Sequence, residues 1–331
     1  MTILTICLSP GLQRTVTIGS LTVGEVNRLQ SVAIDVAGKG VNVCRVLQRL
    51  DLDAVCLGQG GDNADEILDL ARSEGLNLHL IPSSGRLRTC TSIVELTPPS
   101  GRRVTELVEP TAPVEAKCVA AMDRAFEDHL RTATALVIAG SMAPGFPSGY
   151  QTRLAAAARD RGIPVIVDLQ GVALRDVMTT RPTLVKINLA EFAAAFLDTS
   201  FAGGEHSGIL AEDTVGEALR KAVISIVQRY PTTTFVLTRG AKSVLAAQGN
   251  FLQEFGVFPL SPSETLSTIG CGDTFLAGLV AKLLASGQLS TRGANAPGEL
   301  GPAIEFGALC AQASARTLSP GVMDAGTQPR L

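Results

Sequence analysis

The feature that most constrains the fold is an alternation of short apolar runs with longer segments of helical period, regular from residue 114 onward. The apolar runs are rich in Val, Ile and Leu: ALVIA at 135–139, PVIVDL at 164–169, TLVKI at 183–187 and TFVLT at 234–238. Strands that alternate with helices are joined by right-handed crossovers into a parallel sheet, which the helices cover on both faces. The pattern therefore predicts an α/β protein, a three-layer α/β/α sandwich with a mostly parallel central sheet.

Two segments near the start depart from this alternation. Residues 11–36 and 86–108 contain strand-like runs without helical segments between them. Parallel strands of the main sheet need long crossovers, so we expect these segments to form a small β-flap that acts as a lid. No linker-like stretch divides the remainder, which predicts a single domain over residues 1–331.

Composition narrows the class of protein and of partner. With 46% hydrophobic and 18% charged residues, the chain is typical of a globular protein and not of a disordered one. A net charge of −3 provides no basic field for nucleic acid, and no uncharged apolar run approaches the roughly 18 residues of a membrane span. Seven cysteines without a CxxC pair argue against a disulfide framework or a zinc site. We therefore expect a soluble, cytoplasmic protein that binds neither nucleic acid nor a membrane.

The strongest motif is the run Gly270-Cys271-Gly272-Asp273, which leads into an apolar helical segment over 272–286. A glycine-rich turn at the start of a helix directs several backbone N–H groups at one point, where the helix dipole also favours negative charge. The amides of residues 270–272 are therefore candidates for binding a phosphoryl group. Asp273 is a candidate to accept a proton from a substrate hydroxyl; the alternative is that it only caps the helix.

A second glycine-rich turn, Gly38-Lys39-Gly40 within AGKGVN (37–42), lies between a predicted strand and a predicted helix. The glycines allow a ligand to approach the backbone closely, and Lys39 places a cation beside exposed amides. The turn does not have the GxxxxGK[ST] pattern of a P-loop. The alternative is a plain turn with a solvated lysine, and this motif alone does not decide between the two.

Together the two turns resemble the two signatures of the ribokinase-like PfkB family of sugar kinases. Further motifs of the family follow in order along nearly the whole chain. They are Gly24-Glu25-Val26-Asn27-Arg28, Gly61-Asp62, Gly140-Ser141, Asp168, Lys186-Ile187-Asn188-Leu189-Ala190-Glu191 and Thr238-Arg239-Gly240. Within the family, the GEVNR and GKG segments look most like 1-phosphofructokinases and tagatose-6-phosphate kinases. The resemblance implies a ribokinase-like fold and ATP-dependent phosphorylation of a ketohexose monophosphate.

The resemblance also implies roles for individual residues. Asp273 is the expected general base, and the amides of residues 270–272 are the expected anion hole for the transferring phosphoryl group. Asn188 and Glu191 match the family's N-x-x-E motif and would hold Mg²⁺ through water, although a solvated helix face is the alternative for Glu191. The residues expected to border ATP are Lys186, Asn188, Thr238, Gly240, Ala308 and Ala311. For the two alanines, helix packing is the alternative.

The acceptor side combines cations with polar side chains. Lys39, Arg28 and Arg88 stand at positions that match the family and favour a site for the phosphate of a sugar phosphate. The groups expected to serve sugar hydroxyls are Gly38, Asn42 and Ser141. Gln13 departs from the family, which usually has an Asp that binds two hydroxyls. An amide offers one acceptor and one donor group instead, so the identity of the sugar stays open.

Two other functions are left open by the sequence. One is a kinase of an unphosphorylated sugar or nucleoside, although a neutral acceptor needs no cluster of cations. The other is a sugar-phosphate- or nucleotide-binding protein with little turnover, which Gln13 favours and the intact Asp273 motif disfavours. Because an exposed β-flap has edges that need cover, we also expect a homodimer joined through the flap.

Overall fold

The described strands form a central sheet, a smaller second sheet and a two-stranded pair of Leu289–Ser290 with Gly293–Ala294. The computed structural model describes residues 2–96, 103–197, 215–290, 293–294 and 297–331. The strands are β1 (Thr2–Cys7), β2 (Gly11–Ile18), β3 (Ser31–Ala37), β4 (Ala54–Gln59), β5 (Leu78–Ile81), β6 (Thr89–Glu95), β7 (Arg103–Val108), β8 (Ala133–Ala139), β9 (Val165–Asp168), β10 (Leu184–Asn188), β11 (Thr234–Thr238), β12 (Ser243–Gln248), β13 (Phe251–Gly256), β14 (Leu289–Ser290) and β15 (Gly293–Ala294).

The central sheet has nine strands in the order β13-β12-β11-β10-β9-β8-β1-β4-β5. From β11 to β5 neighbouring strands are parallel, and only β12 and β13 pair antiparallel within this sheet. The strand order reverses between β1 and β8, because the chain adds β4 and β5 on one side and β9 to β11 on the other. Open α/β sheets bind ligands at the carboxyl ends of the strands beside such a reversal.

Helices cover both faces of the central sheet. They are α1 (Lys39–Arg49), α2 (Ala64–Ser73), α3 (Ala116–Leu130), α4 (Tyr150–Asp160), α5 (Gly171–Val177), α6 (Leu189–Phe196), α7 (Glu217–Val227), α8 (Cys271–Ala285) and α9 (Gly301–Ala315). One apolar core contains side chains of α1, α2, α8 and α9, such as Val43 and Leu276. The other contains side chains of α3 to α7, such as Phe126 and Phe192. The predicted three-layer α/β/α sandwich is confirmed.

The flap is a four-stranded sheet in the order β3-β2-β6-β7. Strand β2 pairs antiparallel with β3 and parallel with β6, and this register sets Gln13 beside Asp35 and Cys90. The second sheet confirms the prediction of a small β-flap, whose strands lie at Gly11–Ile18, Ser31–Ala37, Thr89–Glu95 and Arg103–Val108. Residues 97–102 of the second predicted segment, 86–108, lie outside the described residues.

Strands β12 and β13 form a hairpin that the sequence analysis does not assign. Their register joins Gln248 to Phe251, so the connecting turn is Gly249-Asn250, with Gly249 at a φ of 57°. Such a two-residue turn is a hairpin signal, but the strand before it is rich in Ala, which has low β propensity. None of the described helices is both long and apolar enough to cross a membrane.

Candidate active site

A cavity of about 970 Å³ lies between the carboxyl edge of the central sheet and the flap. A smaller cavity of about 310 Å³ adjoins it at the ends of β1 and β8, and Lys39 and Arg88 line both cavities. The predicted site residues that line the larger cavity are Gln13, Gly38, Lys39, Asn42, Arg88, Lys186, Asn188, Glu191, Thr238, Gly240, Gly270, Cys271, Gly272, Asp273, Ala308 and Ala311. The fold therefore brings together residues from segments far apart in the chain, at the edge where the strand order reverses.

Helix α8 begins at the glycine-rich turn of residues 270–273. Gly270 caps the helix with a φ of 77°, and a side chain there would approach Pro320 to 2.9 Å. Both the backbone conformation and the available space thus require glycine. A side chain at Gly272 would lie 2.9 Å from the Nζ atom of Lys186. The first N–H groups of the helix and this ammonium group therefore converge on one small region, which suits an anion.

Asp273 lies buried in the first turn of α8. The Nδ2 atom of Asn42 donates a hydrogen bond of 2.8 Å to its Oδ2 atom. Burial raises the pKa of Asp273 to about 6. The charges of Lys39 and Lys186 lower this pKa, and the charge of Asp168 raises it. A carboxyl group with such a pKa is ionised at neutral pH yet basic enough to take a proton.

Asp168, the last residue of β9, binds two lysines at once. Its carboxylate accepts hydrogen bonds from Lys39 at 2.8 Å and from Lys186 at 2.7 Å. Burial would raise the pKa of Asp168, but the two ammonium groups more than offset burial and hold this pKa at about 2. The Asp168 charge in turn raises the pKa of Lys39 despite the partial burial of this lysine, so Lys39 stays a cation. From the sequence, Lys39 is expected beside the sugar phosphate and Lys186 beside ATP, and no motif indicates that one carboxylate joins them.

Asn188 and Glu191 form a capping box at the start of α6. The Glu191 amide donates to Asn188 Oδ1 at 2.7 Å, and the Asn188 amide donates to Glu191 Oε2 at 3.4 Å. Both side chains also line the cavity. Their carboxylate and amide oxygens are hard donors with lone pairs left for water, so this donor set fits Mg²⁺. Within the described residues there is no group of three His, Cys, Asp or Glu side chains that could hold a metal ion.

Gln13 is buried on the face of β2 that lines the cavity. Its Nε2 atom donates a hydrogen bond of 2.6 Å to the hydroxyl of Ser92. This bond engages one of the two N–H donors of the amide, so Gln13 can offer a ligand one acceptor oxygen and one remaining N–H group. Cys90 and Glu106 line the same cavity from the flap. Ser92, Cys90 and Glu106 belong to none of the motifs and are not predicted from the sequence.

The three predicted cations do not all reach the cavities. Arg88 is half-buried, lines both cavities and forms no ion pair with the described carboxylates. Ser141 lines the smaller cavity. Arg28, in contrast, lies exposed in the loop between β2 and β3 and lines neither cavity. The reason is that β2 carries the chain about 25 Å along the flap before that loop begins. The predicted contact of Arg28 with a sugar phosphate is therefore not formed by this chain alone.

Another part of the cavity wall is largely apolar. Thr238 ends β11 there, and Gly240 follows with a φ of 61°. Ala308 and Ala311 of α9 also line the cavity, as does Phe258, whose side chain is 88% exposed. Such a wall suits the flat, weakly polar base of a nucleotide. Phe258 lies in an irregular segment after β13, outside every motif, and is not predicted from the sequence.

A comparison with family models decides the class of protein. The model for pfkB family carbohydrate kinases matches residues 14–324. The chain belongs to this family. It is therefore a carbohydrate kinase, as the two glycine-rich turns and the motifs between them predict.

Solved structures of similar fold include several kinases. A possible 1-phosphofructokinase from Thermotoga maritima has a TM-score of 0.76 at 21% identity, over 98% of this chain and 94% of that one. Phosphofructokinase-2 from Escherichia coli in complex with potassium also has a TM-score of 0.76 at 21% identity, over 98% and 96% of the two chains. Ribokinase from Giardia lamblia has a TM-score of 0.76 at 18% identity, over 99% and 97%. At these identities the similarity shows a shared fold.

Proposed function

We propose that this carbohydrate kinase transfers the γ-phosphoryl group of ATP to a ketohexose monophosphate of the fructose 1-phosphate or tagatose 6-phosphate type. The observation that carries the proposal is that Lys39 and Arg88 line both cavities. A guanidinium group without an ion-pair partner among the described residues, beside an ammonium group, suits a phosphate dianion. An unphosphorylated sugar would leave the half-buried Arg88 without a counter-charge.

The two cavities suit the two ends of such an acceptor. In this proposal the smaller cavity takes the phosphate that the sugar already carries, with Arg88, Lys39 and the hydroxyl of Ser141 as its donors. The reacting hydroxyl lies in the larger cavity beside Asp273. Gly38, Asn42 and the amide oxygen of Gln13 are available there to the other hydroxyl groups.

Transfer then requires one proton movement and one displacement at phosphorus. Asp273 takes the proton of the attacking hydroxyl, whose oxygen forms a bond to the γ-phosphorus as the bond to the ADP oxygen breaks. Lys186 and the amides of residues 270–272 stabilise the negative charge on the phosphoryl oxygens during transfer. The phosphoryl group binds at the start of α8, close to Asp273. The first turn of this helix therefore both binds the phosphoryl group and carries the base.

We infer that Asn188 and Glu191 hold Mg²⁺ through water molecules, which their oxygen donors fit. When bound, the ion neutralises charge on the phosphates of the nucleotide. The capping box fixes both side chains at the start of α6 and keeps their oxygens at the cavity. Thr238, Gly240, Ala308 and Ala311 are proposed to border the nucleotide.

The test of this function is Asp273→Asn, which keeps the shape of the side chain and removes the base. ADP release is measured with ATP, Mg²⁺ and a panel of fructose 1-phosphate, tagatose 6-phosphate, fructose 6-phosphate, fructose and ribose. We expect a loss of about 10²–10⁴-fold in kcat with unchanged affinity for ATP. Asp69→Asn is the matched control, because Asp69 is exposed on α2 and pairs only with a surface arginine.

Three outcomes would overturn parts of the proposal. Turnover near that of the wild type in Asp273→Asn would remove Asp273 as the base. A higher kcat/KM for fructose or ribose than for any sugar phosphate would favour a kinase of unphosphorylated sugars. No ADP release with any acceptor would favour a binding protein of low turnover.

We further propose that the whole chain acts as one kinase domain with the flap as its lid. The family model spans residues 14–324, and the flap lines the cavity through Gln13 and Cys90.

All seven cysteines are free, which agrees with a cytoplasmic location, where thiols stay reduced.

We also propose a homodimer joined through the flap. The register of the flap strands sets Val32, Ile34 and Leu107 on the face opposite Gln13, and all three are exposed. A second copy would cover this apolar face and the edge strands with the same surface. Phosphofructokinase-2 from Escherichia coli, a protein of similar fold, has been solved in a tetrameric inhibited form.

A further inference from the structure

The guanidinium group of Arg45 lies one hydrogen-bonded residue away from Asp273. Arg45 belongs to α1, and its side chain is only 3% exposed. Its Nη1 atom donates to Oδ1 of Asn42 at 3.0 Å, and Nδ2 of Asn42 donates to Oδ2 of Asp273 at 2.8 Å. Two hydrogen bonds in series thus connect a buried cation with the proposed base.

The other donors of Arg45 hold the guanidinium group in place. The Nε atom donates to the Glu74 carboxylate at 2.7 Å, at the end of α2. The Nη2 atom donates to the Val36 carbonyl of the flap at 2.6 Å, and Nη1 also reaches the Pro320 carbonyl at 3.2 Å. Because these acceptors lie on three separate parts of the chain, the planar group cannot rotate without losing hydrogen bonds.

The chemistry of Arg45 determines the orientation of the Asn42 amide. Arginine has donors only, so Asn42 must turn its oxygen to Arg45 and its NH₂ group to Asp273. Without the guanidinium group, the amide is free to rotate by half a turn and present its oxygen to Asp273. An oxygen at that place accepts a hydrogen bond only from a protonated carboxyl group, and therefore disfavours the ionised base.

We propose that Arg45 is a positioning residue for phosphoryl transfer, which orients the Asn42 amide so that a hydrogen-bond donor always faces Asp273. The proposal rests on the proposed function, because it takes Asp273 as the general base. Arg45 does not line either cavity, and it acts only through Asn42.

Other charged groups also face Asp273, and their effect is separable from that of the guanidinium group. They are Lys39 on α1, Lys186 on β10 and Asp168 at the end of β9. Asp168 binds both lysines. Among the described residues, the side chain of Asn42 is hydrogen-bonded to Asp273 and Arg45 and to none of these three groups. They set the charge around Asp273, whereas the guanidinium group sets the direction of one hydrogen bond.

The test compares kcat across pH for the wild type, Arg45→Met, Arg45→Lys and Arg49→Met. Arg49 is exposed one turn later on the same helix and is the matched control. For Arg45→Met we expect a loss in kcat of about ten- to hundredfold. The acid limb of the pH profile, where kcat falls as Asp273 gains a proton, should move upward by about one pH unit. The KM for ATP should not change. Arg45→Lys keeps the charge and a donor group but loses the planar fork of the guanidinium, so it should recover part of the loss. Arg49→Met should behave as the wild type.

A second variant keeps the proposal falsifiable if Arg45→Met does not fold. Asn42→Asp retains an oxygen for Arg45 and replaces the donor that faces Asp273 by an acceptor. Two carboxyl groups would then compete for one proton, so the acid limb should again move upward. A wild-type acid limb in folded Arg45→Met or in Asn42→Asp, with Asp273→Asn inactive, would overturn this proposal. If Asp273→Asn itself stays active, the proposed function fails instead.

Discussion

Replacing Asp168 by Asn removes the carboxylate that binds Lys39 and Lys186 and leaves the shape of the side chain almost unchanged. Removing one partner of a buried ion pair costs about 3–5 kcal/mol, because the other charge stays buried without compensation. Lys186 has a side chain that is 6% exposed, whereas that of Lys39 is 37% exposed and can recover water. We therefore expect the lower end, a loss of about 3 kcal/mol in the free energy of unfolding at neutral pH.

The contribution of Asp168 to stability should depend on pH in a defined direction. In the folded protein the pKa of Asp168 is about 2, below the ordinary value of 3.8. This gap corresponds to roughly 2–3 kcal/mol. Because the folded pKa is the lower one, the stabilisation is complete above the ordinary value and is lost as the pH falls toward 2. Asp168→Asn should lack this acid-dependent loss.

The same substitution should change the catalytic pH profile. The Asp168 charge raises the pKa of Asp273, which is about 6, so wild-type kcat should fall as the pH drops through that value. Without this charge the pKa of Asp273 decreases. The acid limb of Asp168→Asn should therefore lie lower by about one pH unit.

Urea unfolding at several pH values and kcat measured across the region around pH 6 provide the two readouts. Asp160→Asn, an exposed aspartate at the end of α4, is the control and should match the wild type in both. An acid limb that moves upward in Asp168→Asn, or an unchanged free energy of unfolding, would refute the reasoning about the paired lysines.

Three further predictions concern the acceptor and the flap. Arg88→Met should raise the KM for the sugar phosphate about ten- to hundredfold and leave the KM for ATP unchanged, because it removes a charge-assisted hydrogen bond. A rise in the KM for ATP alone would show that the two phosphate sites are assigned the wrong way round. Gln13→Asp should raise kcat/KM for fructose 1-phosphate or tagatose 6-phosphate about tenfold, because a carboxylate has two acceptor oxygens for adjacent hydroxyls, whereas the Gln13 amide has one and donates to Ser92 through its NH₂ group. A wild type that is faster than this variant on the same panel would show that Gln13 is adapted to its substrate. Val32→Glu with Ile34→Glu should convert a dimer to a monomer in analytical ultracentrifugation, and a monomeric wild type would contradict the flap interface.

Much of the fold could be predicted from the sequence because its signals are local. The alternation of apolar runs with helical segments identifies the parallel sheet, and the absence of helices between the early strands identifies the flap. The β12–β13 hairpin is not predicted from the sequence, because its first strand is rich in Ala. Burial, rather than intrinsic β propensity, stabilises this strand. For Arg28, the motif predicts a residue type at a position, but the length of β2 decides how far that position lies from the cavity.

The ion pairs inside the site could not be predicted from local signals in the sequence. Lys39, Asp168 and Lys186 come from α1, β9 and β10, and no spacing along the chain indicates that one carboxylate serves both lysines. Arg45 lies three residues after Asn42, which puts both on one face of α1. The sequence nevertheless carries no sign that this face is buried against Glu74 and Pro320.

Cys271 illustrates what the glycine-rich turn requires of a side chain. Burial raises the pKa of the Cys271 thiol to about 12, and the negative charge of Asp273 acts in the same direction. The thiol therefore stays neutral at any pH near that at which Asp273 loses its proton. A thiolate would repel the transferring phosphoryl group, whereas a neutral thiol preserves the positive potential of the helix start and of Lys186. The Cys271 amide donates only a long hydrogen bond of 3.3 Å to the Thr268 carbonyl, which a phosphoryl oxygen can replace. Residue 271 must thus supply an amide and a small, uncharged side chain, and burial lets cysteine meet both conditions.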